Sequence, residues 1–234
     1  MSTTTKGTAG YDRRRELQAF DDTNAGVKGL VDAGITTIPL IFRHPPDSLA
    51  SSSTATIPVI DLSGRRSEVV SKVRAATETV GFFQVVNHGV PADLLAEMLA
   101  SVRRFHESPA EAKTPHYTRD LAKKKRSVWV DVPPVPGALV INVGDLLQLV
   151  SNGRLKSVEH RVVANRSRDR ARISVAAFFN ADLRRTSAVY GPIEEQVSSS
   201  ALPLYRSITV EEFLSHYDGK GLDGRPALDH FLLP

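Results

Sequence analysis

The sequence predicts a mainly β protein with an α/β N-terminal part, its later strands forming a barrel or jelly roll flanked by helices. Short β-branched and aromatic runs recur at 57–62, 82–88, 127–132, 138–143, 156–163 and 170–179. Pro/Gly turns, not long helical crossovers, separate the later runs, which disfavours a doubly wound sheet. Helical patterns lie mostly in the first half.

The elements follow in order. Residues 1–10 read as disordered. Helical patterns cover 11–20 and 24–33, the second stopped by Gly34 in the position after a helix end. ITTIPLIF (35–42) reads as extended, and Pro45, Pro46 and the Ser/Thr run to Thr56 read as a linker. IPVIDL (57–62) is a strand whose proline suits a strand start. Residues 67–80 form an amphipathic helix ended by Gly81, and FFQVVNH (82–88) is the second strand. The turn at Gly89 leads into a helix with Pro91 near its first position, running to about His106. After a polar stretch, strands are expected at 127–132 and 138–143 around the PPVPG turn. A short helix follows at 146–150 with Asp145 as N-cap. TVEE (209–212) is a capping box opening a helix to about Tyr217.

Composition bounds the function. At 234 residues and 41% hydrophobic content, the chain suffices for one domain or a domain with a helical appendage. No apolar run approaches the roughly 18 residues of a membrane span, and the N-terminus has no apolar signal core. The expectation is a cytoplasmic protein with no membrane partner. Zero cysteines exclude disulfides and thiolate metal sites. Net charge is +4, and the KKKR run at 123–126 reads as a solvated loop, so no nucleic-acid partner is expected.

The chemistry concentrates in SVEHRVVANRSRDRARISVAAFFN (157–180). It reads as a β-hairpin turning at 165–169. With the turn centred near Ser167, antiparallel pairing sets His160 opposite Ser174, and Arg172 two residues along on the same face. An imidazole, a guanidinium and a hydroxyl on one face suit a metal and a carboxylate ligand. One histidine does not hold a metal, so partner ligands are needed.

IPVIDL (57–62), GFFQVVNHGVP (81–91), WVDVPPVPGALVINVGDLLQLVSNG (129–153), HRVV (160–163), RIS (172–174) and YRSITVEEFLSHY (205–217) resemble the plant 2-oxoglutarate- and Fe(II)-dependent dioxygenases. GLVDAGITTIPLIFRHP (29–45) looks specific to the 1-aminocyclopropane-1-carboxylate oxidase homologues among them. The resemblance implies a double-stranded β-helix, a form of jelly roll. It also implies Fe(II) and 2-oxoglutarate as cofactors and a small plant metabolite as the substrate oxidised. Iron in that family is held by two histidines and a carboxylate, with open positions for co-substrate and oxygen. His160 matches the distal histidine. Arg172 and Ser174 match the pair gripping the 2-oxoglutarate carboxylate, where an arginine fork fits better than a lysine.

One part of the family pattern is missing. Its first two ligands form His-x-Asp, upstream of the segment matched here by Trp129 onward, where this chain has LAKKKRSV (121–128). The expected organisation is therefore an N-terminal dioxygenase region (1–122), a deletion junction (123–128) and the C-terminal part of the catalytic domain (129–234). The double-stranded β-helix would be incomplete, and no residue is assigned as catalytic. His216 and Asp218 make a literal His-x-Asp, but on a predicted helix, where residues two apart point roughly 200° from each other. His116 and Asp120 are a weaker substitute pair. His88 in the NHG turn is expected to bond turn backbone; His44 has no visible partner, and His106 and His230 read as ordinary helix or tail residues. The functional expectation is an oxidoreductase by descent with impaired catalysis. The alternative is a non-catalytic interaction protein, truncated isoform or gene model that pairs with intact relatives or aggregates through exposed sheet edges.

Overall fold

The computed structural model describes residues 12–42, 56–113, 132–160, 162, 167, 171–179, 187–198, 201–220 and 226–234. The N-terminal disorder, most of the linker, the strand at 127–131, the junction at 123–128, His44, His116 and Asp120 lie outside them. Two compact units emerge, one of residues 1–48 and 100–120, the other of residues 49–99 and 121–234.

In the first unit, α1 (Arg13–Asp22) starts where the Asp12 carboxylate accepts the Arg15 N–H at 3.2 Å. Helix α2 (Gly26–Asp32) closes as expected at Gly34. This glycine has φ +70°; its N–H reaches Val31 O at 2.9 Å, and the Ile35 N–H reaches Leu30 O at 3.2 Å. The segment expected to stay extended instead curls at Leu40–Phe42 into a 3₁₀ turn, with the Phe42 N–H on Pro39 O. That turn sets the Phe42 ring edge-on to Phe20, centroids 5.2 Å apart, a contact a straight strand would forgo.

The second unit is built on two small sheets. Strand β1 (Val59–Asp61) leads into α3 (Arg66–Thr79), and β2 (Phe82–Val86) returns parallel to β1. Chain then passes through α4 (Ala92–Glu107) and the short α5 (Ala110–Lys113) before β3 (Leu139–Asn142) pairs antiparallel with β2, Phe83 opposite Ile141. Alternation along β2 sends Phe83 and Val85 toward α3, where they bury with Ile60 and Ala76 against Val69, Val73 and Leu139. The opposite face carries Phe82, Gln84 and Val86.

Helix α6 (Asp145–Val150) follows β3, capped by Gly144 and not by the expected Asp145, which sits one residue too late and is already helical. Strands β4 (Val189–Tyr190) and β5 (Ile208–Thr209) pair antiparallel, and α7 (Val210–Lys220) begins at once. Leu149, Tyr205, Ile208, Leu228 and Phe231 form this region's buried core, with Val150 and Phe213 against it. Half of the expected capping box forms: Thr209 Oγ1 accepts the Glu212 N–H at 3.1 Å. Glu212's carboxylate turns to Arg206, 2.5 Å away, which lowers the carboxyl's pKa and raises the guanidinium's.

The expected hairpin is the main correction. Residues 155–160 and 171–179 are described, and none is in a strand. Two strands alone are marginal in water, and a hairpin persists when a further strand or helix covers it. Among the described residues no strand pairs with either arm, and the first touches α3 and β2 through Lys156 and His160.

Candidate functional site

The face of β2 opposite α3 is where the family-signature segments meet. Gln84 is 1% exposed and satisfied at both ends of its amide. Nε2 donates to Pro133 O at 3.0 Å, and Oε1 accepts the Val135 N–H at 3.2 Å. The Pro133–Gly137 turn is thereby tied to the sheet, and Gly137 takes φ +73°. His88 supports the same turn from its other end. Its Nδ1 accepts the Val90 N–H at 3.2 Å, which leaves the proton on Nε2 to donate to Gly137 O at 2.8 Å. The backbone-bonding role expected of His88 is what its geometry shows.

The strand ends are stapled by Asp61. Its Oδ1 accepts the Ser63 N–H at 2.9 Å, the Ser63 hydroxyl at 2.7 Å and Asn87 Nδ2 at 2.9 Å. These bonds, Asn87's first, hold its carboxyl below the usual range. Asn87 itself sits at φ +52°, which asparagine tolerates. The IDL and NHG motifs therefore build turns, and a cavity of about 530 Å³ opens between Asn87, His88 and Gly137.

His160 arrives on this face through a chain of backbone fixings. After α6, Asn152 and Gly153 adopt φ +54° and +76°, and the Gly153 N–H returns to Gln148 O at 2.9 Å. The Asn152 amide accepts the Leu204 N–H at 2.7 Å and donates to Leu202 O at 3.1 Å. Arg154 pairs with Glu78 at 2.7 Å, and the Lys156 N–H bonds Thr77 O at 2.9 Å. Gln148 Oε1 then takes the Ser157 N–H at 2.6 Å. Three residues on, the His160 ring stands 5.8 Å from that of Phe82, with Nδ1 3.2 Å from Val158 O. His160 is exposed at its edge.

Arg172 and Ser174 lie on the irregular, exposed stretch 171–179. No hydrogen bond, ion pair or ring contact among the described residues joins either to His160. Among the described residues no group of three or more His, Cys, Asp or Glu is close enough to hold a metal ion. His216 lies on α7 as expected, and its ring stacks on His230 at 4.1 Å, a partner the sequence did not suggest. No helix among the described residues is long and apolar enough to cross a membrane. Sequence reasoning passed over Gln84 and Gln148. The usable signal was a lone amide inside each apolar run, FFQVV and DLLQLV.

Known proteins share this arrangement of segments. Residues 57–128 match the family described as the N-terminal region of non-haem dioxygenases in morphine synthesis, and residues 114–181 match the 2OG-Fe(II) oxygenase superfamily. The chain is 34% identical to 1-aminocyclopropane-1-carboxylate oxidase homolog 1 of Arabidopsis thaliana, covering 94% of this chain and 96% of the relative. Against a homolog from Solanum lycopersicum it is 32% identical over 94% and 97%. The crystal structure of JOX2 in complex with 2OG, Fe and JA superposes with TM-score 0.69 at 20% identity, over 89% of this chain and 97% of that one. The rice dioxygenase for auxin oxidation gives 0.57 at 20% identity, over 76% and 100%. These likenesses carry the jelly-roll fold, of which the described residues form few strands. The Arabidopsis alignment runs over 354 positions against 234 residues here. The difference leaves at least 120 positions without a residue of this chain. Both proteins are covered nearly end to end, so the shortfall is internal.

Proposed function

Because this chain belongs to the 2OG-Fe(II) oxygenase superfamily, among its plant 1-aminocyclopropane-1-carboxylate oxidase homologues, we propose that it is a catalytically impaired member of that oxidoreductase family. The family works with Fe(II) and 2-oxoglutarate. The observation that carries the proposal is the donor set. The only His-x-Asp in the sequence lies at 216–218, inside α7, and helix geometry turns positions two apart by roughly 200°. That leaves one imidazole, His160, where the family uses three ligands, and a single neutral nitrogen does not give a defined, tight site. The residues present do not fit the iron centre.

On this reading His160 is the remaining iron ligand, and Arg172 and Ser174 are the remaining grip on the co-substrate carboxylate. Residues 1–122 are the N-terminal region and 129–234 the C-terminal part of the catalytic domain, with the internal loss at 123–128. The overlap of the two family matches at 114–128 supports that position. The substrate class is a small molecule, and the expected location is cytoplasmic.

Anaerobic titration with Fe(II) in the presence of 2-oxoglutarate, followed by admission of oxygen for the succinate assay, tests this. We expect no stoichiometric binding, no metal-to-ligand charge-transfer band, and no succinate above a His160→Ala control. Stoichiometric binding with the charge-transfer band, or succinate above that control, would restore the enzyme.

A second reading has its own observation. Phe178 and Phe179 are 79% and 102% exposed, and Val162 and Val175 are 67% and 51% exposed. An extended apolar stretch left open in this way seeks another strand or aggregates. A non-catalytic protein that associates with its own kind or with intact relatives would use it. Size-exclusion chromatography should show oligomers that dissociate in a Phe178→Lys, Phe179→Lys variant; a monodisperse wild-type monomer counts against this reading.

A further inference from the structure

We propose that Gln148 is the positioning residue for His160, and that it holds the histidine's segment in place without help from the absent part of the barrel. Speaking of His160 as a ligand rests on the proposed function above; the positioning itself does not.

The argument begins with the amide. Gln148 Nε2 donates to the Tyr205 hydroxyl at 2.9 Å, and Oε1 accepts the Ser157 N–H at 2.6 Å. Tyr205 is 6% exposed and belongs to the core of Leu149, Ile208, Leu228 and Phe231. One side chain therefore links that core to the backbone three residues before His160. An amide suits this link because it donates at one end and accepts at the other, serving the Tyr205 oxygen and the Ser157 N–H at once.

Two more fixings act on the neighbouring residue. The Lys156 N–H bonds Thr77 O at 2.9 Å, and Lys156 O approaches Gly81 so closely that a Cβ there would lie 1.9 Å from it. Lys156 thus sits between the end of α3 and the start of β2, and Gln148 sets the direction in which the chain leaves it. The His160 ring then stands 5.8 Å from that of Phe82. His160 is exposed, and its own contacts are the Phe82 ring and Val158 O. Its location is inherited from the clamp.

The test is NMR on the labelled full-length chain without metal. The His160 ring resonance is assigned by its loss in His160→Gln, and the ring-current contribution of Phe82 by Phe82→Leu. In Gln148→Ala we expect the His160 signal to move to its Phe82→Leu position and the Ser157 amide to exchange about tenfold faster, the scale of one lost hydrogen bond. Gln148→Glu keeps an acceptor for both Ser157 N–H and Tyr205 O–H and should restore the wild-type signal. Where Gln148→Ala fails to fold, Ser157→Pro removes the donor and leaves the core side of the amide in place, with the same His160 displacement expected. An unmoved His160 signal in either folded variant overturns the proposal. Because no iron is used, failure of the iron titration and failure of the clamp are read separately.

Discussion

Replacing Phe231 with alanine should unfold the C-terminal core. The ring is 0% exposed and centred in a cluster with Phe213 at 6.1 Å, His216 at 5.2 Å and His230 at 5.0 Å. Arg206 places its guanidinium carbon 5.2 Å over the same ring. Truncating a fully buried phenylalanine costs about 3–5 kcal/mol, because the cavity left behind collapses only in part. Whole domains are stable by about 5–15 kcal/mol, so one substitution consumes much of that margin. The measurement is the urea midpoint, followed by methyl-proton dispersion. Phe179→Ala is the internal comparison: the same chemical change at a fully exposed ring should move the midpoint little. A Phe231→Ala midpoint equal to wild type would mean that this core does not hold the C-terminal half together.

Gly81→Ala should have the second largest effect, for two separable reasons. At φ +69° an L-residue incurs a conformational penalty of about 1–2 kcal/mol. The new Cβ would also lie 1.9 Å from Lys156 O and 2.9 Å from its carbonyl carbon. Backbone cannot yield as a flexible side chain does, so Lys156 must retreat and its bond to Thr77 O breaks. Gly137→Ala isolates the first cause: φ is +73°, with nothing within 4 Å of the added atom. Denaturation of the two variants should show Gly81→Ala losing at least about twice as much stability, since only it adds the clash to the penalty. Equal losses would show that the 153–157 segment moves aside freely, and would weaken the case that this segment carries His160 to its place.

Much of the local architecture was legible in the sequence. Gly34 and Gly81 end helices because left-handed backbone is needed one residue past the last turn, a requirement that acts over three or four residues. Thr209 caps α7 by a bond to Glu212, again three residues away. The strand runs at 57–62, 82–88 and 138–143 became β1, β2 and β3, since alternation within each run already says which face can be buried. His-x-Asp was readable as misplaced for the same reason. Helical periodicity around His216 puts Asp218 on another side.

The site itself was less legible. Asp145 looked like an N-cap, but where α6 begins depends on how β3 delivers the chain, and Gly144 takes that position. The stretch around His160 and Arg172 reads as a hairpin by composition, yet β-branched residues only favour a strand where another strand accepts their hydrogen bonds. The roles of Gln84 and Gln148 were out of reach for a different reason. Their partners Pro133 and Tyr205 lie 49 and 57 residues away.

By itself, then, the sequence determined the family, the helix ends, the first sheet's strands and the position of its one His-x-Asp on a helix. All of these are properties of single residues or of short windows in which neighbouring side chains share a face. Tertiary structure alone decided that Asp61 staples the strand ends, that the described residues of 157–180 form no strand, and that His160 stands beside Phe82 after the fixings at Gln148, Lys156 and Gly81. Those outcomes depend on which distant backbone groups come within 3 Å of each other. No local pattern encodes that proximity; only the packed chain does.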